Sequence, residues 1–275
     1  MICRLPTPLL LLCVTALLAG CAALFEPLER QFLFRPRPAD PDRLAAMEKR
    51  LDNVERVEIE VAEGTRIRGW LQKPAGAAKF PLVIVFGGVA RETSWMLHWP
   101  PKQEDWGWLI VNYRGYGTSE GRPSEGALYA DAKLIFDYAA ARADVDASRI
   151  VVLGRSLGSA VAIQLASERP VRALILATPI DSLAAIGGRR FPFLPVGLIA
   201  AGRYDSAALA PDIRKPALFV IAEDDDVTPP EHGERLARLW AGDKKTVRIP
   251  GAGHRMVEWR REYWDAVNAW LSALR

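Results

Sequence analysis

The sequence predicts an α/β domain: a mostly parallel central sheet with helices on both faces. Three observations carry this. Short, continuously apolar runs recur at 81–86, 108–113, 149–153, 171–177 and 217–222, with a further strand pattern at 245–249, as strands buried on both faces require. Between them, 124–142, 157–168, 229–240 and 256–274 have helical periodicity, and strands alternating with helices mean a parallel sheet wrapped on both sides. Ahead of both, 55–61 and 65–72 alternate apolar and polar residues around Glu63-Gly64, which predicts an antiparallel N-terminal hairpin. Ligands of such sheets bind at the carboxyl ends of the strands, so chemistry is sought in the loops that follow them.

The chain has 275 residues, half of them hydrophobic, enough to bury the core of one α/β domain. Its 36 basic and 33 acidic residues leave a formal charge of +3. They are interleaved, with no run of one sign that would track a phosphate backbone, so nucleic acid is not an expected partner. There is no His-Glu-x-x-His, no Cys-x-x-Cys and no phosphate-binding lysine loop, and neither metal nor organic cofactor is expected.

The amino terminus begins Met1-Ile2-Cys3-Arg4 and continues through Pro8-Leu9-Leu10-Leu11-Leu12 to Leu17, a basic start and an apolar stretch of signal-peptide length. Leu18-Ala19-Gly20-Cys21 closes it and resembles the lipobox of bacterial lipoproteins. That resemblance implies removal of 1–20, lipidation of Cys21, an anchored tether over 21–53 with a helical part at 41–51, and a domain from 54 to 275. Cys3 and Cys13 would leave with the signal, so no intramolecular disulfide is possible. Ala22, where inner-membrane retention is associated with aspartate, points to the outer membrane, facing the periplasm.

The chemistry is expected at Gly154-Arg155-Ser156-Leu157-Gly158. An apolar strand ends there and a helix starts at once, the context of a nucleophile elbow, in which a tight turn exposes a strained serine. The helix N-terminus adds unpaired N–H groups and a positive dipole end beside any oxyanion. A second match, Gly117-Thr118-Ser119-Glu120-Gly121, is followed by Arg122-Pro123, which cannot open an apolar-faced helix. Ser156 is therefore the expected nucleophile and Ser119 part of a structural turn.

A serine hydroxyl needs a base, and the base an orienting group. Of the three histidines, His254 alone lies on a loop after a strand end in the chain order serine, acid, histidine; His98 and His232 are expected to be structural or solvated. The acid is sought in Glu223-Asp224-Asp225-Asp226, after the strand two places beyond the elbow. Asp225 is the choice, with Asp224 and Asp226 as neighbouring alternatives and Asp181, after the intervening strand, as a more distant one. Oxyanion donors are expected from the backbone of Leu157 and of Gly88, in the Gly87-Gly88-Val89 turn.

The regular alternation is interrupted at about 179–215, where an apolar, proline-broken segment includes Phe191-Pro192-Phe193. It is either a small lid lining an acyl pocket or a cover for the sheet. A capping box, Thr228 with Glu231, is expected to open the helix from Pro229.

With these residues assigned, the chain resembles the α/β-hydrolase superfamily, and within it the small-lidded esterases and depalmitoylase-like serine hydrolases. Asn112-Tyr113-Arg114-Gly115-Tyr116-Gly117-Thr118-Ser119-Glu120-Gly121 resembles a turn of that branch, and its acid loop aligns on Asp225. Phe86-Gly87-Gly88 departs from the family's usual His-Gly followed by a polar residue. The resemblance implies a hydrolase of esters or thioesters acting through an acyl-enzyme on a small-molecule or lipid-like acyl substrate. A peptidase or amidase on the same residues, and a non-catalytic envelope lipoprotein of the same fold, are the alternatives.

Overall fold

The computed structural model describes residues 33–49, 51, 53–99, 105–190 and 203–274. The expected signal segment, Cys21, the tether up to residue 32 and residues 191–202 of the insertion lie outside them.

Among the described residues eight strands form one sheet: β1 (Val54–Glu60), β2 (Arg66–Gln72), β3 (Phe80–Phe86), β4 (Gly107–Val111), β5 (Val145–Arg155), β6 (Ala173–Ala177), β7 (Ala217–Ala222) and β8 (Lys244–Ile249). Their spatial order is β1-β2-β4-β3-β5-β6-β7-β8. The β1–β2 and β2–β4 pairs are antiparallel and all others parallel. After β3 the chain steps to β4 on one side and then returns to β5 on the other. The order therefore reverses between β3 and β5, where open α/β sheets form a ligand crevice. There Phe86 pairs with Gly154, so the turn after β3 faces the turn after β5.

Among the described residues seven α-helices flank the sheet: α1 (Pro41–Glu48), α2 (Glu125–Ala141), α3 (Leu157–Glu168), α4 (Leu183–Arg190), α5 (Ser206–Leu209), α6 (Pro230–Leu239) and α7 (Arg261–Ala273). Alternate strand residues feed two cores, which is why the central strands read as unbroken apolar runs. Leu82, Ile84 and Phe86 pack with α2, α3 and α6, whereas Val83 and Val85 pack with α1, α7 and a cluster of tryptophans. On that second face Trp99 meets Trp264 edge-on, ring centroids 5.2 Å apart. Helix α1 starts where the Asp40 side chain accepts the N–H groups of Asp42 and Arg43 and Pro41 opens the first turn.

Two local expectations fail. The capping box at Thr228 and Glu231 does not form: Pro229 is the N-cap, with no side-chain cap bond, and α6 starts at Pro230. The Thr228 N–H is instead drawn to Asp225 Oδ1 at 2.7 Å, and Glu231 pairs with Arg189. The helix expected over 256–274 is broken, with a short 3₁₀ turn at Val257–Trp259, an extended Arg260 and α7 from Arg261.

Residues 34–39 form a strap across the carboxyl ends of the strands. The Phe34 carbonyl accepts the Ala90 N–H at 2.8 Å and the Tyr116 hydroxyl. The Gly117 N–H donates to Arg37 at 2.8 Å, and the Ala39 N–H returns a bond to Gly117 at 3.1 Å.

Candidate active site

Ser156 sits in the turn between β5 and α3 with φ 54° and ψ −124°, a left-handed conformation that strains a residue with a Cβ by about 1–3 kcal/mol. Neighbouring backbone enforces it. A methyl group on Gly158 would lie 2.2 Å from the Phe86 carbonyl oxygen, and one on Gly154 would lie 2.4 Å from that of Gly158. Only glycine lets β3, β5 and α3 approach this closely. The Ser156 N–H donates to the Ala177 carbonyl at 2.9 Å, and the Ser159 hydroxyl to that of Ser156 at 2.6 Å.

Three side chains far apart in sequence form one chain of hydrogen bonds. His254 Nε2 lies 3.0 Å from Ser156 Oγ, and His254 Nδ1 lies 2.7 Å from Asp225 Oδ2. Asp225 Oδ1 accepts the N–H groups of Val227 and Thr228 at 2.9 and 2.7 Å, which fixes the carboxylate. A carboxylate only accepts, so the imidazole proton belongs on Nδ1 and the Nε2 lone pair faces the serine hydroxyl. All three residues are buried. The acid and base loops are tied by backbone bonds, Glu223 N–H to Ile249 and Asp224 N–H to Ala252.

Among the acid alternatives, Asp181 is occupied elsewhere. Its carboxylate meets His232 Nδ1 at 2.9 Å and Arg235 Nη1 at 3.0 Å. Burial pushes its pKa up, but His232, the Ser182 N–H and Arg235 together hold it below the ordinary carboxylate value. Asp224 and Asp226 are exposed on either side of the buried Asp225.

Leu157 is the first residue of α3, so its N–H is one of the donors a helix leaves unpaired. Gly88 lies across from it: a methyl there would be 3.5 Å from Ser156 Cβ. The turn that carries Gly88 is clamped from β4 and the strap. The Tyr113 hydroxyl donates to Gly87 at 2.9 Å, Asn112 Oδ1 accepts the Thr93 N–H at 2.8 Å, and Phe34 holds Ala90. Phe86, at the family's histidine position, stacks on Tyr113 with ring planes 2° apart. Aromatic packing thus supports this turn.

Ser119 is a building element of its own turn. Its hydroxyl accepts the Arg68 N–H at 2.8 Å and donates to the Asn112 carbonyl at 3.1 Å. Among the described residues no three His, Cys, Asp or Glu side chains gather as a metal site would need. The described parts of 179–215 do not line the cleft over Ser156, which has a volume of about 500 Å³.

Sequence reading missed several residues of the site. Arg155, between Gly154 and Ser156, donates to the His254 carbonyl at 2.6 Å and pairs with buried Glu258 at 3.1 Å. Arg35, Arg37, Arg91 and Arg255 line the cleft. Arg155 had one signal, its place inside the elbow; the others come together only through the strap and the loops after β3 and β8.

Residues 81–195 match the family described as alpha/beta hydrolase fold. The chain is 35% identical over 220 residues to the uncharacterized protein Rv2307c of Mycobacterium tuberculosis, a match spanning 78% of each chain. It is 29% identical over 197 residues to the alpha/beta hydrolase domain-containing protein WAV2 of Arabidopsis thaliana, over 65% of this chain and 64% of that one. Among solved structures, the acetyl xylan esterase from Paenibacillus sp. R4 superposes with a TM-score of 0.67 at 19% identity, covering 89% of this chain and 98% of that one. The Pyrococcus furiosus esterase PF2001 gives 0.65 at 20%, covering 88% and 98%. At those identities the structural likeness speaks for the fold, and the sequence relative and family match for descent: the chain belongs to the alpha/beta hydrolase superfamily.

Proposed function

We propose that the protein is a serine hydrolase that cleaves carboxylic esters or thioesters through an acyl-enzyme. The observation that carries this is the unbroken hydrogen-bonded line Ser156–His254–Asp225 at the switch point of the sheet. Ser156 Oγ attacks the carbonyl carbon as its proton passes to His254 Nε2. The negative charge that develops on the carbonyl oxygen faces the N–H groups of Leu157 and Gly88, while Asp225 holds the imidazolium. His254 then returns the proton to the departing alcohol or thiol. Water, deprotonated by the same imidazole, releases the acid and restores the hydroxyl. The esterases among the structural neighbours support an acyl-transfer reading.

The test is fluorophosphonate labelling of the mature protein. Labelling that disappears in Ser156→Ala and falls in His254→Ala is expected. A folded sample that does not label would overturn the assignment and favour a binding lipoprotein of the same fold; turnover of peptide amides over matched esters would favour a peptidase.

Lipid anchoring at Cys21, on the periplasmic side of the outer membrane, belongs to the same proposal and rests on the lipobox-like Leu18-Ala19-Gly20-Cys21. Mass spectrometry of the mature N-terminus should find an acylated Cys21, and the Cys21→Ser protein should leave the membrane fraction.

A further inference from the structure

Of the groups that line the cleft over Ser156, five are arginines and one is a carboxylate. That carboxylate, Glu258, is already paired with Arg155. The other four arginines, Arg35, Arg37, Arg91 and Arg255, are exposed to the cleft's solvent. The fold holds them there by separate devices. Arg35 and Arg37 sit on the strap, whose backbone is bonded to Ala90 and Gly117, and Arg35 itself has φ 47°. The Arg91 guanidinium lies 4.2 Å over the ring of Trp95, another cleft residue. Arg255 directly follows His254.

Like charges gathered at one mouth repel, and among the described cleft residues only Glu258, already paired with Arg155, carries the opposite sign. Burial depresses Arg91's pKa; Glu92 and Glu258 work against this, and the charges of Arg155 and Arg43 add to it. Several surface cations elsewhere on the domain have carboxylate partners: Arg68 with Glu58 and Glu120, Arg169 with Asp137, Arg248 with Glu223 and Glu234. The mouth also carries apolar surface. Of the five large hydrophobic residues exposed among the described residues, Val227 lines the cleft, while Met256 and Trp259 lie just after His254, and Trp259 packs on the cleft residue Trp95 with centroids 6.2 Å apart. A cationic, partly apolar mouth complements an amphiphile with a negative head.

We infer that the cleft selects acyl esters bearing an anionic group, a phosphate or carboxylate, which Arg35, Arg37, Arg91 and Arg255 hold while the ester carbonyl meets Ser156. This rests on the hydrolase reading above and names its substrate class. Guanidinium forks match the paired oxygens of either anion.

The test compares monohexanoylglycerol with its 3-phosphate, both as monomers in solution, on the wild type and on Arg37→Gln/Arg255→Gln. Wild-type kcat/KM should favour the phosphate ester by about tenfold, equivalent to about 1.4 kcal/mol, and added salt should shrink the preference. In the double variant the phosphate-to-neutral ratio should fall towards one, and Arg37→Lys/Arg255→Lys should restore part of it. A ratio near one in the wild type, or a ratio unchanged in the double variant, would overturn the inference and leave the hydrolase reading intact. A second readout is independent of turnover: calorimetric binding of the phosphate ester to Ser156→Ala, which should weaken in the double-variant background. Charge-dependent binding without Ser156-dependent turnover would keep the anion site and sink the hydrolase. A third arm separates a soluble anion from a lipid surface. If the arginine variants lose only adsorption to phosphatidylglycerol vesicles and keep the monomer ratio, the arginines serve membrane contact and the substrate-site inference fails.

Discussion

Arg155 Nη2 donates to the backbone carbonyl of His254 at 2.6 Å, so the residue beside the nucleophile grips the loop that carries the base. Its Nε lies 3.1 Å from Glu258 Oε1, and Glu258 is buried on the turn that follows that loop. One side chain therefore sets the distance between two loops that meet only in the folded protein.

Arg155→Met is expected to slow kcat about 10–100-fold, because His254 loses its register against Ser156. It should also destabilise the fold by about 3 kcal/mol by stranding the Glu258 carboxylate. Adding Glu258→Leu should recover much of the stability, read by urea unfolding, and little of the rate, read by ester hydrolysis. Recovery of both together would show that Arg155 acts through stability alone.

The two buried aspartates near the strand ends should separate cleanly. Asp225→Asn is expected to cut kcat by about 10²–10⁴-fold with the fold retained, since an amide in place of the carboxylate disfavours the Nδ1–H tautomer. Asp181→Asn should leave the rate essentially unchanged but cost about 2–4 kcal/mol of stability, as Arg235 and His232 lose a buried anion. Steady-state kinetics beside denaturant melts decide between them.

Gly158→Ala should be severe despite its single added carbon. The new methyl would lie 2.2 Å from the Phe86 carbonyl and 2.4 Å from that of Gly87, so β3 and α3 must part. A loss of about 3 kcal/mol or more is expected, together with loss of fluorophosphonate labelling at temperatures where the variant is still folded. Circular dichroism melts and gel labelling measure the two effects.

At the amino end of the sheet, away from the cleft, Asp144 bridges Arg142 and Lys73, which also hold Glu55. The Arg142 hydrogen bonds hold the Asp144 pKa below its ordinary 3.8, burial opposes, and Lys73 adds to the lowering. A carboxyl whose folded value is depressed stabilises the fold above its unfolded pKa and loses that contribution as pH falls through the folded value. Asp144→Asn should therefore lower Tm near neutral pH, with the gap to wild type closing as pH drops below about 4. A gap constant across that range would show that the charge of Asp144 is not what stabilises this corner.

The sequence by itself determined the α/β class, the strand–helix order, the elbow at Ser156 and the ranking of His254 above His98 and His232. These features follow from local periodicity, from glycines that backbone crowding demands, and from chain order along a sheet. It put Asp225 first among four aspartates but could not separate them by distance; the tertiary structure does, because the N–H groups of Val227 and Thr228 aim Asp225 at His254 while Asp181 is buried against His232 and Arg235. The same holds for α6, where a capping box legible at Thr228 and Glu231 gave way once the Thr228 N–H was taken by the acid. The partners of Arg155, which the elbow motif located but did not explain, and the grouping of Glu258 with the four cleft arginines were illegible in the sequence. Each is an ordinary charged residue in its own neighbourhood, and their grouping depends on a strap, a sheet edge and two loops brought together from across the chain, information that exists only as distances in space.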